Sequence, residues 1–110
     1  MPYNNTLVSF VETRLFTRLV LAYLTDEEYA ALQRAITLDP NAAPVIPGSG
    51  GIRKIRWAAA GRGKRGGYRV IYYVRRAQGT VWMLTIYPKN VAESISAHEL
   101  RQMRKEVTDG

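Results

Sequence analysis

The stretch that decides the fold is "GYRVIYYVRRAQGTVWMLTIYP", residues 67–88. Two runs rich in β-branched and aromatic residues flank the short segment 77–79, and this arrangement predicts a β-hairpin. Upstream, "IRKIRWA", residues 52–58, alternates apolar with charged side chains, as a half-buried strand does. The sequence therefore predicts three antiparallel strands, with a further short strand expected at "TLVSFV", residues 6–11.

Helical patterns flank these strands. "ETRLFTRLVLAYL", residues 12–24, places its apolar side chains at helical spacing, and "TDEEYAALQRAITLDP", residues 25–40, opens with a capping-box spacing. Ser96 and Glu99 repeat that spacing ahead of a narrow apolar stripe, which predicts a short, peripheral third helix. The expected fold is α+β, with two N-terminal helices packed on a small antiparallel sheet of three to four strands and a short C-terminal helix.

Length and composition exclude several classes of protein. A chain of 110 residues predicts one domain, residues 1–110. With no cysteine and one histidine, disulfide scaffolds, thiolate zinc sites and thiol catalysis are excluded, and neither a metal nor another cofactor is expected. No run approaches the roughly 18 apolar residues of a membrane span, and the first ten residues lack the pattern of a signal peptide. We expect a cytoplasmic protein that does not bind membranes.

The positive charge is concentrated in the middle of the chain. Sixteen Lys and Arg residues against nine Asp and Glu give a formal net charge of +7. Between Asp39 and Glu93 there is no acidic residue, whereas that segment carries ten cations. Such a segment repels itself, and an anionic partner such as a nucleic acid relieves the repulsion. A merely basic surface is the alternative interpretation.

Strand alternation predicts that cations and aromatic rings meet on one face of the sheet. Lys54 and Arg56 share a face of the first strand, and Arg69 and Tyr73 share a face of the second. On the third strand we expect two polar-face residues opposite three core residues, namely Thr85 and Tyr87 against Trp82, Leu84 and Ile86. A cationic and aromatic face suits single-stranded RNA. The alternative for each cation is an ordinary solvated position.

The blocks "GSGGIRKIRWAAAGRGKRGGYRVIYY" and "LTIYPKN", after a strand, two helices and a Pro/Gly linker, resemble the RelE superfamily of toxins, most closely the HigB-type branch. The resemblance covers nearly the whole chain. It implies a toxin of a toxin–antitoxin module, a metal-independent endoribonuclease that cleaves mRNA in the ribosomal decoding site by attack of the ribose 2′-OH. The implied partners are a cognate antitoxin, the 70S ribosome with its ribosomal RNA, and mRNA.

The same resemblance implies a set of site residues. Lys54, Arg56 and Arg69 match the basic positions that the family places around the scissile phosphate, and Tyr87 falls near its late aromatic position. Where the better-known RelE pattern has Lys-Arg after the last strand, this chain has "PKN", residues 88–90, so Lys89 takes the role of the arginine. Lys54, crowded by other cations, is the candidate general base.

A second group of residues is expected to bind RNA without taking part in the chemistry. It comprises three cations of the loop between the first two strands and one tyrosine of the sheet: Arg62, Lys64, Arg65 and Tyr73. His98, in the first turn of the last helix, is expected to be an ordinary surface residue.

Two other functions remain open at this stage. One is a non-catalytic toxin of the same fold that binds a protein target such as DNA gyrase, as ParE-type relatives do. The other is an RNA- or ribosome-binding module. The antitoxin is expected either to lay an acidic or amphipathic segment over the basic face or to block entry to the ribosome from elsewhere.

Overall fold

The computed structural model describes residues 8–58, 67–89 and 95–107, except for the side chain of Arg76. The elements in chain order are β1 (Ser9–Glu12), α1 (Arg14–Tyr23), α2 (Asp26–Leu38), β2 (Arg53–Trp57), β3 (Tyr68–Arg75), β4 (Thr80–Pro88) and α3 (Ala97–Glu106). A single turn of 3₁₀ helix, Arg76–Gln78, joins β3 to β4. Among the described residues, no helix has both the length and the apolar character to cross a membrane.

The four strands form one mixed sheet in the order β1-β4-β3-β2. The predicted hairpin is confirmed, because β3 pairs with β2 and with β4 in antiparallel directions. The additional strand is also present, but β1 runs parallel to β4, so the sheet is not wholly antiparallel. In the sequence, β1 and β4 are separated by α1, α2, β2 and β3. No hairpin turn therefore joins β1 to β4, and no turn imposes an antiparallel direction on them.

Helices α2 and α3 begin at the predicted capping boxes, whereas α1 begins at Arg14, because Glu12 belongs to β1. In α2 the hydroxyl of Thr25 accepts a hydrogen bond from the Glu28 backbone N–H, and the Glu28 carboxylate accepts one from the Thr25 N–H. Ser96 and Glu99 make the same reciprocal pair at the start of α3. Each pair satisfies two backbone donors that a helix start otherwise leaves open.

Two hydrophobic cores lie on opposite faces of the sheet. The first packs α1 and α2 on one face, and its members include Phe16, Leu32, Ile36, Tyr72 and Met83. The second packs α3 on the other face and includes Ile52, Ile71, Leu84, Leu100 and Val107. The predicted short third helix is present, and most of its residues are exposed. It nevertheless covers a core of its own, because Leu100 is only 1% exposed.

A β-bulge in β4 changes which side chains share a face. Ile71 pairs with Thr85, whereas the next residue, Tyr72, pairs with Met83, so Leu84 is an extra residue on β4. Trp82 and Leu84 consequently pack in the α3 core together with Tyr87, while Ile86 packs in the core under α1 and α2. The predicted alternation, with Trp82, Leu84 and Ile86 opposite Thr85 and Tyr87, is wrong for this reason.

Thr13 joins the start of α1 to the bulge. Its buried hydroxyl donates a hydrogen bond of 2.8 Å to the Leu84 carbonyl and accepts one of 3.0 Å from the Phe16 N–H. Its own backbone N–H donates to the Met83 carbonyl at 3.1 Å. One side chain thus caps a helix and satisfies a carbonyl of the extra residue, both inside the protein.

Replacing Thr13 is expected to weaken both features together. Thr13→Val keeps the shape but removes the hydroxyl, and we expect the free energy of unfolding to fall by about 2 to 4 kcal/mol, the sum of a lost cap and a buried unpaired carbonyl. Chemical denaturation measures this loss. Thr13→Ser, which retains the hydroxyl, is the matched control and should lose less than half as much; equal losses in the two variants would contradict the assignment.

Candidate nucleic-acid interface

Three side chains lie side by side across β2, β3 and β4. Arg56 pairs with Arg69, and Arg69 pairs with Tyr87. Directly paired residues in a sheet point to the same face, with neighbouring strands about 4.8 Å apart. The face is the one that carries α3, because Tyr87 belongs to the α3 core. We call Arg56, Arg69 and Tyr87 the central row.

The members of the central row differ in burial. Arg56, on the edge strand β2, is exposed, whereas Arg69 and Tyr87 are each 7% exposed. Burial raises the pKa of the Tyr87 phenol above its ordinary value, and the nearby positive charge of Arg69 lowers it in part. The phenol is therefore protonated at neutral pH and is available as a proton donor beside a guanidinium.

Two lysines extend the row in opposite directions. Lys54, two residues before Arg56 on β2, is half-buried and pairs with Ile71. Lys89 is exposed just beyond β4, where its backbone N–H donates to the Gly67 carbonyl at 3.2 Å. Residues two positions apart along a strand are about 6.6 Å apart, so the lysines flank the central row closely. We call these five side chains the basic site.

Gly67 directly precedes β3, next to the basic site. Its φ is +56°, and a Cβ built on it would lie 2.4 Å from the Trp57 carbonyl oxygen. A side chain there would push β2 away from β3, so this position requires glycine. The preceding glycine, Gly66, lies outside the described residues.

Helix α3 packs on this face and shares its core with Tyr87, while two cations of the basic site remain exposed at one end of the face. Leu100 and Val107 pack with Ile52, Ile71 and Leu84, which lie toward the β3–β4 turn. Arg56 and Lys89, toward the β2–β3 connection, remain exposed. The strands β2, β3 and β4 carry no Asp or Glu, so the field at the basic site comes from cations of the sheet itself. Among the described residues no group of three His, Cys, Asp or Glu side chains is arranged to hold a metal ion.

Tyr73 has a partner that the sequence analysis did not foresee. The ring lies under the guanidinium of Arg104 from α3, with 4.1 Å between the guanidinium carbon and the ring centroid. One face of this ring is thus covered by an arginine. In the sequence, Arg104 directly follows Met103, which belongs to the apolar stripe of α3. That position indicates that Arg104 lies close to the sheet, but it does not identify the ring that the arginine contacts.

The remaining aromatic and basic residues around the sheet lie as follows. Tyr68 and Tyr72 are buried and Trp57 is half-buried in the core under α1 and α2. Arg53 is tied to the linker, because its Nη1 donates to the carbonyls of Asn41 and Ala43. His98 is exposed on α3. The loop cations Arg62, Lys64 and Arg65 lie outside the described residues.

Comparison with known proteins agrees with this architecture. Residues 13–109 match the family model described as the RelE toxin of the RelE/RelB toxin–antitoxin system. The chain belongs to the RelE toxin family. Membership implies a cognate antitoxin as partner.

A solved structure of a RelE toxin shares the fold. The E. coli toxin RelE, in the free state of a mutant with two arginines replaced by alanine, superposes with a TM-score of 0.59 at 16% identity. The alignment covers 88% of this chain and 96% of the E. coli chain. At this identity the similarity shows the RelE-like fold alone.

If the basic site binds an RNA backbone, removing an exposed cation from this site will weaken RNA binding more than removing an exposed cation from another surface of the protein. Arg56→Ala should weaken binding to single-stranded RNA for every sequence and should lower the slope of log affinity against log salt by about 0.7, the value for one phosphate contact. Fluorescence anisotropy across a salt series measures both quantities. Arg18→Ala, which removes an exposed arginine of α1, is the control, and an equal effect of the two substitutions would exclude a localised interface.

Proposed function

We propose that this RelE-family toxin is a ribosome-dependent mRNA endonuclease of the HigB-type branch, acting in the cytoplasm on messages in the decoding site. The observation that carries the proposal is the pairing of Arg69 with Tyr87, which sets a guanidinium beside a protonated phenol. Family membership supports the toxin role. The resemblance of the sequence supports the finer assignment to mRNA cleavage on the ribosome.

The proposed reaction uses the RNA itself as nucleophile. The ribose 2′-oxygen attacks the adjacent phosphorus and loses its proton to a base. The bond from phosphorus to the 5′-oxygen breaks, and that oxygen takes a proton from an acid. The products are a 2′,3′-cyclic phosphate and a free 5′-hydroxyl. DNA has no 2′-hydroxyl and is not a substrate.

The basic site offers a group for each step. Arg56 and Arg69 hold the phosphate and stabilise the negative charge that develops on it. Tyr87 donates the proton to the departing 5′-oxygen. Lys54, two residues before Arg56 on the edge strand, is the base that accepts the 2′ proton, and Lys89 stabilises the phosphate or the leaving group from the opposite side.

The surroundings of the site suit a macromolecular substrate. Arg56 and Lys89 are exposed and give an RNA strand its first contacts. The buried side chains of Arg69 and Tyr87 lie between them on the sheet. Arg62, Lys64 and Arg65 belong to the connection that leaves β2 beside Arg56, and we assign them to docking on ribosomal RNA or on the message backbone.

The nucleophile can be tested directly on translating ribosomes. Wild-type protein should cut a message in the decoding site, as primer extension detects, and should leave a 2′,3′-cyclic phosphate. A message with 2′-O-methyl groups in the decoding-site codon should resist cleavage completely, because its 2′-oxygens cannot attack. Cleavage of the methylated codon would refute the proposed reaction.

The site is tested in the same assay with paired variants. Combined Lys54→Ala and Arg56→Ala should reduce the cleavage rate by at least about 100-fold, the usual contribution of a positioned acid or base. Combined Arg14→Ala and Arg18→Ala, which removes two exposed arginines of α1, should leave the rate unchanged. If wild-type protein cut no message, a DNA gyrase supercoiling assay would distinguish a gyrase-binding toxin from an RNA- or ribosome-binding module.

The role of Tyr87 as acid makes a separate prediction. Tyr87→Phe should slow cleavage by about 100-fold. A message with sulfur in place of the bridging 5′-oxygen at the cut site should restore the rate, because a thiolate leaves without being protonated. The raised pKa of Tyr87 also predicts that wild-type activity does not fall between pH 7 and about 9 through ionisation of this phenol. Failure of the sulfur substrate to rescue the variant would rule out proton donation by Tyr87.

A further inference from the structure

Arg104 and Tyr73 form a stacked pair on the α3 side of the sheet. The guanidinium carbon lies 4.1 Å from the ring centroid, and Arg104 Nη2 donates a hydrogen bond of 2.9 Å to the Tyr73 hydroxyl. Both residues are half-buried, so the pair is partly accessible to solvent. A planar cation held in place by two contacts, one to the ring and one to its hydroxyl, is a preorganised surface for another flat group.

A glycine-rich turn borders this pair. Gly48, Gly50 and Gly51 all have positive φ values, and a Cβ on Gly51 would lie 3.2 Å from Tyr73 Cε1. Buried Ser49 holds the turn, because its hydroxyl donates to the Ile46 carbonyl and accepts from the Ile52 N–H. The turn therefore approaches the ring closely with glycine backbone and leaves room for the guanidinium of Arg104.

The pair lies on the same face as the basic site and at a defined distance from it. Tyr73 follows Arg69 by four residues on β3, which is about 13 Å along the strand. Lys54 lies between these levels on the adjacent strand, because it pairs with Ile71. Arg56, Lys54 and the stacked pair thus follow one another along the β2 side of the face. Cations followed by a flat surface match the alternating phosphates and bases of a single strand.

We propose that Arg104, stacked on Tyr73, is a nucleobase-stacking subsite that reads a base one or two nucleotides from the cut phosphate and so sets part of the cleavage preference. The inference rests on the proposed function for its cleavage readout, but the stacking site itself does not depend on that function. Guanidinium planes and aromatic rings both stack on unpaired bases. Here the guanidinium of Arg104 is the surface on which the base stacks, and its contacts with the ring and the hydroxyl of Tyr73 hold it in position.

Cleavage profiling tests the effect on preference. Wild-type protein and variants are incubated with ribosomes translating messages with a randomised codon in the decoding site, and cleaved ends are sequenced. Arg104→Ala should reduce the ratio of best to worst base at one position by about tenfold, the effect of losing one stacking contact. Tyr73→Phe, which keeps the ring and loses the hydrogen bond, should act in the same direction to a smaller extent.

Arg101→Ala is the matched control. Arg101 lies one turn earlier on α3, and its Nη1 donates to the Gly48 carbonyl at 3.4 Å, so its loss also removes a contact between α3 and the turn. Its profile should equal that of the wild type. An unchanged profile in Arg104→Ala, with cleavage retained, would overturn the proposal, and so would an equal change in Arg101→Ala, since a merely structural role predicts that result.

A binding measurement keeps the proposal testable even without cleavage. A short single-stranded RNA containing 2-aminopurine loses fluorescence when that base stacks. Wild-type protein and Arg101→Ala should quench it, whereas Arg104→Ala should quench several-fold less at saturating protein. Equal quenching by Arg104→Ala, or none by the wild type, would overturn the stacking site. Quenching that depends on Arg104, combined with no cleavage on ribosomes, would refute the proposed function and leave the subsite standing.

Discussion

The hydrogen bond from the Thr13 hydroxyl to the Leu84 carbonyl holds the bulge on which the site depends. Toward the β3–β4 turn, Tyr72 pairs with Met83, and continuing that register would place Ile86 opposite Arg69. The extra residue shifts the pairing by one, so that Tyr87 pairs with Arg69 instead. A shift of one residue moves a side chain to the other face of a sheet. Without the bulge, the phenol would point under α1 and α2, away from the cations.

The bulge also explains how a small sheet can be covered on both faces and still present a site. Toward the turn, Trp82 and Leu84 complete the core under α3, and toward the opposite end Ile86 completes the core under α1 and α2. The central strand β3 is therefore buried on both sides for most of its length. Arg69 lies in this strand, so its position is fixed by the packing around it, whereas its neighbours Arg56 and Lys89 remain exposed. Fixed charge beneath exposed charge is the arrangement that electrostatic stabilisation of a phosphate requires.

Much of the fold could be predicted from local patterns, because the features concerned are determined within a few residues. The hairpin of β3 and β4, both capping boxes and the shared face of Lys54 and Arg56 are of this kind. The bulge could not, since Leu84 and Thr85 carry no local signal for it and alternation is ambiguous in a strand buried on both faces. The parallel direction of β1 likewise depends on packing between distant segments.

The basic site was predictable in its cations and not in its surroundings. Alternation placed Lys54, Arg56 and Arg69 together, but it did not indicate that Arg69 and Tyr87 are buried. Tyr87 packs in the core under α3, whose narrow apolar stripe suggested a peripheral helix. The stack of Arg104 on Tyr73 joins residues 31 positions apart, and no local rule identifies such a pair. Long-range packing therefore decides which basic residues form a site and which remain ordinary surface charges.

The most direct measurement is cryo-electron microscopy of the protein on a ribosome stalled with a 2′-O-methylated codon in the decoding site. We expect message density along β2, with a phosphate between Arg56 and Arg69 and the Tyr87 hydroxyl next to the bridging 5′-oxygen. A complex in which α1 and α2 face the message, or in which the basic site contacts only ribosomal RNA, would contradict this expectation.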